Sequence, residues 1–270
     1  MIGTEATQAA VEVFSSRVVF FTLFVVAFVA WMLQRQLQES AAFEANKEKD
    51  KSGIVENIKM LFTNRVAVRS VVFLATIYLT WNLVASVMGF FMPHVYETAG
   101  GLSNETANML SCVSWVFVVV TTFIISFFVD KVAHRFFYVF GLVAALTAWL
   151  LVIGGSVTSI AGIWVFTILW GLNNGSSVQV FYALWGSELF PAKFRAGAQG
   201  LMFFIVRGLS AVWGLVFTYI YGENGEGFTL AAYCMVALLV ISLVVGLFGM
   251  PNTRGRSLND ITKERYGDNY

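Results

Sequence analysis

Charge is scarce in this chain: Asp, Glu, Lys and Arg make up 12% of its 270 residues, against about a quarter in a soluble domain. That deficit excludes a water-exposed globular surface. Histidine and cysteine are scarcer still. His94 and His134 stand far apart, and Cys112 and Cys234 both fall inside apolar runs. No metal-ligand cluster and no disulfide framework is therefore expected. No glycine-rich phosphate loop precedes a helix, and neither a nucleophile elbow nor a nucleic-acid module is present. The chain is expected to be no enzyme, to carry no cofactor and no metal, and to bind no nucleic acid. What fills it instead is apolar. Hydrophobic residues reach 58% and aromatic residues 16%, and the mean hydropathy is +0.73. These values define an all-α integral membrane protein with the lipid bilayer as its main partner.

The gaps between charges mark the spans. Arg17 and Arg35 bracket Val18–Gln34, 17 uncharged residues and just enough to cross a bilayer. No small-residue cleavage site follows that run, so a retained helix is expected rather than a signal peptide. Residues 1–35 thus form an N-terminal segment with a first transmembrane helix, and residues 36–69 a polar loop. That loop carries Lys47-Glu48-Lys49-Asp50-Lys51 and an amphipathic stretch from Ile54 to Phe62, which reads equally as a surface helix or a solvated linker. Residues 70–250 hold six more expected spans, at 71–96, 106–129, 136–153, 160–187, 196–221 and 228–250. The third and fourth of these six come from 52 residues, Phe136 to Ser187, without one Asp, Glu, Lys or Arg, divided at Gly154-Gly155-Ser156. Residues 251–270 are a polar tail. Seven transmembrane helices are expected in all.

Lys and Arg alternate sharply between the two sides. The loop before the second span has seven (Arg35, Lys47, Lys49, Lys51, Lys59, Arg65, Arg69), the turn at 130–135 two, the turn at 188–195 two, and the tail four. The opposite turns have none, and only Arg17 lies before the first span. The positive-inside rule then puts the tail in the cytosol and the N-terminus outside a plasma membrane.

Polar residues inside the spans are the candidates for function. Arg207 lies 12 residues beyond Arg195, about 18 Å along a helix and so near the bilayer midplane. A charge there faces a cavity or a partner, because lipid exposure costs about 3 kcal/mol. It reads equally as an anion-binding or gating residue and as a structural arginine bonding helix-end carbonyls. Tyr78, Asn82 and Ser86 follow one another at steps of four, a polar stripe on one helix face. Asn173, Asn174, Gly175, Ser176, Ser177, Gln179 and Tyr182 crowd the middle of another span. One or two such residues serve as interhelical glue, but a run of this density favours a wet pocket. Gly175 would also permit local unwinding. His94, beside Pro93, reads as a capping or surface residue. On the basic side, Asp130, Lys131 and Arg135 form one charged cluster and Glu188, Lys193 and Arg195 another. They read as a salt-bridge latch between helix pairs, or as plain positive-inside topology, which explains the cations but not Glu188.

The stretch Ser187-Glu188-Leu189-Phe190-Pro191-Ala192-Lys193-Phe194-Arg195 resembles the Glu-hydrophobe-Phe-Pro-x-x-x-Arg signature of the major facilitator superfamily. Pro251-Asn252-Thr253-Arg254-Gly255-Arg256-Ser257-Leu258 is similar to that family's Pro-Glu-Thr-Lys-Gly-x-Ser/Thr-Leu tail, with Asn252 in place of Glu. Asp130-Lys131-Val132-Ala133-His134-Arg135 resembles its Asp-Arg/Lys-x-Gly-Arg-Arg/Lys turn, with Ala133 for Gly and His134 for a base. Gln38-Glu39-Ser40-Ala41 is a faint echo of Pro-Glu-Ser-Pro. The order of these matches implies the sixth to twelfth helices of a sugar-porter or metabolite:proton symporter, six of them forming a C-terminal half-bundle. It implies alternating access for a small organic solute, a carboxylated metabolite or a sugar, with proton coupling. Asp130, Lys131, Arg135, Glu188 and Arg195 fall in the implied gate. The residues expected to meet the solute are Tyr78, Asn82, Ser86, Asn173, Asn174, Gln179, Tyr182 and Arg207. The sugar-porter pattern Gln-Gln-x-Ser-Gly is absent, Thr80-Trp81-Asn82-Leu83-Val84 standing in its place, and Arg207 favours a carboxylated solute. No free intramembrane carboxylate is present and the first five helices have no counterpart. The chain therefore reads either as a fragment or truncated reading frame, or as one piece of a split or dimerising transporter with a separate N-terminal half or a second copy as partner. A non-transporting accessory subunit and, further off, a seven-span receptor are the other readings.

Overall fold

The computed structural model describes residues 2–36, 59, 61–98, 100–155, 159–222 and 225–267. The expected amphipathic stretch before the second span lies almost wholly outside them. Regular structure among the described residues is entirely helical: α1 (Ile2–Gln36), α2 (Arg65–Thr98), α3 (Asn104–Ser126), α4 (His134–Ile153), α5 (Ile160–Ser176), α6 (Val178–Glu188), α7 (Ala192–Tyr221), α8 (Phe228–Gly249) and α9 (Leu258–Tyr266). Two compact units are present, Met1–Lys51 and Ser52–Tyr270. In the first, α1 exposes each side chain from Val13 to Arg35.

Six helices among the described residues are long and apolar enough to cross a bilayer: the Val13–Arg35 part of α1, then α2, α3, α4, α7 and α8. The seventh expected crossing, 160–187, is not one helix. It divides into α5 and α6 at Ser177, whose φ of −116° and ψ of −127° leave the helical region. Gly175 is not where the helix opens; it remains helical, and the interruption falls two residues later.

Within the second unit the helix starts follow from capping chemistry. Ser103, Ser159 and Ser257 each accept a backbone N–H from the first turn of α3, α5 and α9. Pro191 stands at the start of α7, and Pro251 follows the end of α8. In the interior, α2 packs against α7, α8 and α3, while α5 packs between α3 and α4. Small residues make these approaches close. A Cβ on Gly175 would lie 2.7 Å from the Thr121 Cβ and from the Val118 carbonyl oxygen. One on Gly246 would run into the Tyr138 ring. That tyrosine also ties three helices together: its hydroxyl donates to the Ser242 carbonyl at 2.8 Å, and the Ser242 hydroxyl donates to the Ile77 carbonyl at 3.1 Å. The outer faces are apolar, with Phe90, Phe204, Leu215 and Phe248 strongly exposed, as befits surfaces meeting lipid or another bundle.

Candidate functional site

The polar stripe of α2 and the polar run of α5–α6 meet near the middle of the bundle. The Tyr78 and Tyr182 rings stack face to face, with centroids 3.9 Å apart and planes within 7°. Gln179, one turn before Tyr182, and Arg207 of α7 lie beside the Tyr78 hydroxyl. Neither makes a well-formed hydrogen bond with it, and both tyrosine hydroxyls lack a partner. A buried hydroxyl without a partner is costly. Arg207 rests on the Phe203 ring at 4.8 Å and makes no ion pair among the described residues.

One turn along α2, Asn82 is buried and its Oδ1 accepts the Ser210 hydroxyl at 3.0 Å. This bond joins α2 to α7 and fixes the wall that carries Arg207. Ser210 was not foreseen; its only sequence signal is its place one turn beyond Arg207. Ser86 bonds back to the Leu83 carbonyl and lines, with Phe90, Phe91, Arg207, Ser210 and Thr218, a cavity of about 460 Å³. Tyr78, Asn82, Ser86, Gln179, Tyr182 and Arg207 therefore gather along one α2–α6–α7 wall.

Asn173 and Asn174 go elsewhere, because neighbouring residues on a helix point about 100° apart. Asn173 is wholly buried at the α5–α6 break. In the amide orientation that satisfies its surroundings, it donates to the Ser177 hydroxyl (2.9 Å) and the Gly141 carbonyl (3.1 Å) and accepts from the Trp81 indole N–H (3.3 Å). It is a lock between α2, α4 and the broken helix. Asn174 bonds the Trp170 carbonyl of its own helix and faces a separate small cavity with Met88, Met92 and Ser111. The structure thus separates the two amides that adjacency in sequence had grouped.

At the basic end, the two charged clusters are joined by the tail. No ion pair links Asp130, Lys131 or Arg135 to Glu188 or Arg195 among the described residues. Instead Arg254 donates to the carbonyls of Asp130 (3.1 Å) and Lys131 (2.6 Å). Arg195 donates to the Phe190 carbonyl at 3.1 Å, and Arg135 lines a cleft with Pro251 and Asn252. Glu188, at the polar end beyond the apolar span, leaves one carboxylate oxygen buried without a partner. Burial pushes its carboxyl above the ordinary carboxylate range; the nearby Thr253 hydroxyl opposes this and the Asp130 charge adds to it. At the opposite end, the Thr98 and Tyr221 hydroxyls bond at 2.6 Å, and His94 sits 4.0 Å from Glu97.

A helical bundle of bilayer-crossing length, with one helix broken beside two unpartnered tyrosine hydroxyls and an arginine without an ion pair among the described residues, is the build of a polytopic membrane protein. The sequence places it further: residues 1–215 match the Major Facilitator Superfamily, and the chain belongs to that family. It is 36% identical over 266 residues to the minor myo-inositol transporter IolF of Bacillus subtilis (strain 168), an alignment covering 93% of this chain and 58% of the relative. The chain thus spans a little under three-fifths of the length of that relative.

Proposed function

We propose that the second unit is half of an alternating-access path for a small polyhydroxylated solute of the cyclic-polyol or sugar type, in the plasma membrane. The observation that carries this reading is the α2–α6–α7 wall. Its polar groups are chiefly hydroxyl and amide: the buried, unpartnered Tyr78 and Tyr182 hydroxyls, Gln179, Ser86 and the Asn82–Ser210 pair. Neutral donors and acceptors of that kind match a ring of hydroxyls, and the relative named for myo-inositol supports the same class. Arg207 supplies donors from the far side. Its unpaired charge favours a second reading, a carboxylated solute, which the same assay separates.

In this reading the six crossings formed by α2, α3, α4, the broken α5–α6, α7 and α8 correspond to a C-terminal half-bundle, with the first crossing in residues 1–35, the loop 36–69 and the tail 251–270 on either side. The basic end faces the cytosol, as the distribution of Lys and Arg argues. There the Asp130–Arg135 turn, the Glu188–Arg195 turn and the Thr253–Arg254 tail form a gate element. The buried, unpartnered oxygen of Glu188 would pair with a cation from a facing bundle. Asn173 positions the break rather than touching solute. A facing six-helix bundle, separate or a second copy, completes the path, because the α7 wall is open on one side.

The test is uptake into vesicles of labelled myo-inositol, challenged with an unlabelled cyclic polyol or a sugar acid, by the chain with and without a complementary six-helix half. Uptake in the presence of the half, blocked by the polyol, supports the proposal. Competition only by the sugar acid transfers it to the carboxylated reading. Proton coupling predicts that collapsing the pH gradient abolishes accumulation but not exchange.

A further inference from the structure

The ends of α2, α8 and α9 leave a second cavity system at the basic end, on no part of the wall described above. Arg65 and Arg69, one turn apart on α2, line both a groove of about 680 Å³ and the adjoining cleft of about 570 Å³. The groove is apolar, walled by Phe62, Val72, Phe73 and Val245. Gly249 forms its floor: a Cβ there would lie 2.4 Å from the Phe73 ring. The cleft above it adds Arg265 and Glu264 from α9.

The charges in the cleft do not balance. Glu264 is engaged by Arg256 in an ion pair. Arg65 and Arg69 have neither ion pair nor side-chain hydrogen bond among the described residues, and like charges one turn apart repel. Arg265 donates through Nη2 to the Ser70 hydroxyl at 2.6 Å, but its Nε–H is buried without a partner. Three guanidinium groups thus surround a space that holds no unengaged acid among the described residues, above a groove whose Val72 is 59% exposed. From Arg65 to Thr76 the helix descends about 16 Å, comparable with the acyl depth of one leaflet.

We infer that this cleft binds one acidic phospholipid of the leaflet at the basic end, its phosphate among Arg65, Arg69 and Arg265 and an acyl chain along the Val72–Val245 groove. A guanidinium fork suits phosphate oxygens. A zwitterionic headgroup fits poorly, since its ammonium would meet three cations and no free carboxylate. The inference rests on the bilayer-spanning reading of the bundle but needs no solute, so a failure of transport leaves it standing.

The test is native mass spectrometry of the purified full chain with phosphatidylglycerol, with phosphatidylcholine of the same acyl chains, and with sn-glycerol 3-phosphate. The expected result is retention of one phosphatidylglycerol in preference to phosphatidylcholine. Arg65→Gln with Arg69→Gln should lower that preference by about tenfold or more, the scale set by two basic residues at a membrane surface. Lys59→Gln, which removes one positive charge outside the cleft, should leave it intact. Equal retention of both lipids overturns the proposal. So does an equal loss in Lys59→Gln, which would mean a diffuse basic surface, or displacement by glycerol phosphate, which would mean a soluble-anion site.

Discussion

Replacing Asn173 by leucine removes three polar contacts in one step while keeping the number and branching of side-chain heavy atoms. The amide meets the Ser177 hydroxyl, the Gly141 carbonyl and the Trp81 indole at 2.9, 3.1 and 3.3 Å. Interhelical hydrogen bonds inside membrane proteins average about 0.6 kcal/mol each, so three amount to roughly 2 kcal/mol. The Trp81 N–H then has no partner in a site that excludes water, which pushes the cost upward. Ser177→Ala removes one of the same bonds and also the cap that its hydroxyl places on the Val178 N–H at the start of α6, at about 1 kcal/mol. Because the two residues share a bond, the double variant should cost about 0.6 kcal/mol less than the sum of the singles. Equilibrium unfolding of the purified chain in mixed micelles measures all three. A cost for Asn173→Leu below about 0.5 kcal/mol, or strict additivity with Ser177→Ala, would refute the assignment of Asn173 as the lock that sets the α5–α6 break.

Other substitutions separate packing from chemistry. Gly175→Ala should cost about 1–3 kcal/mol, because the added methyl meets the Val118 carbonyl and Thr121 on the neighbouring helix. Gly200→Ala, where a Cβ meets nothing within 4 Å, should be neutral or stabilise by up to about 1 kcal/mol through helix propensity; thermal unfolding compares them. Glu188→Gln should stabilise the chain at neutral pH. A carboxyl raised by burial contributes stability below its ordinary range, and loses it as pH rises through the folded-state value. The gain, under about 1 kcal/mol for a half-exposed group, should therefore fade as pH falls toward that range. A gain that grows on acidification would contradict the burial argument. Arg207→Gln should lower uptake of the proposed solute about tenfold or more if it loses charge-assisted bonds to the solute, whereas unchanged uptake assigns Arg207 a structural role.

Most of the helical plan was legible because burying an ion in lipid is so costly that charges can sit only at the ends of spans. The expected gaps at 97–105, 130–135, 188–195 and 222–227 each fall where one helix gives way to the next, although the helices run further into them, α2 to Thr98, α3 from Asn104, α4 from His134 and α7 from Ala192. The break inside the fourth of the bundle's crossings was harder to place. Gly175 has the weaker intrinsic helix preference, but its missing side chain serves contact with α3, and the backbone opens at Ser177, where Asn173, Gly141 and Trp81 converge from three elements. The same tertiary origin hid the Asn82–Ser210 bond. It also explains why Asn173 and Asn174, adjacent in the chain, serve different places. At the basic end the charge clusters invited ion pairs, whereas the tail ties each turn through backbone carbonyls, Arg254 to Asp130 and Lys131 and Tyr266 to Leu189, and such carbonyls carry no mark in a sequence. The tail helix α9 was missed although Ser257 and Asp260 have the spacing of a capped start.

The claim that the α2–α6–α7 wall receives the solute is tested most directly by thiol labelling at one of its open positions. With Cys112 and Cys234 changed to serine, Gln179→Cys should react with a membrane-impermeant thiol reagent when the chain is assembled with a facing bundle. Cyclic polyol should slow that reaction. Phe248→Cys, on the outer face of α8 and 89% exposed in the chain, should face lipid and show no such protection. Labelling at position 179 that polyol leaves unchanged, or protection equal at both positions, would contradict the account.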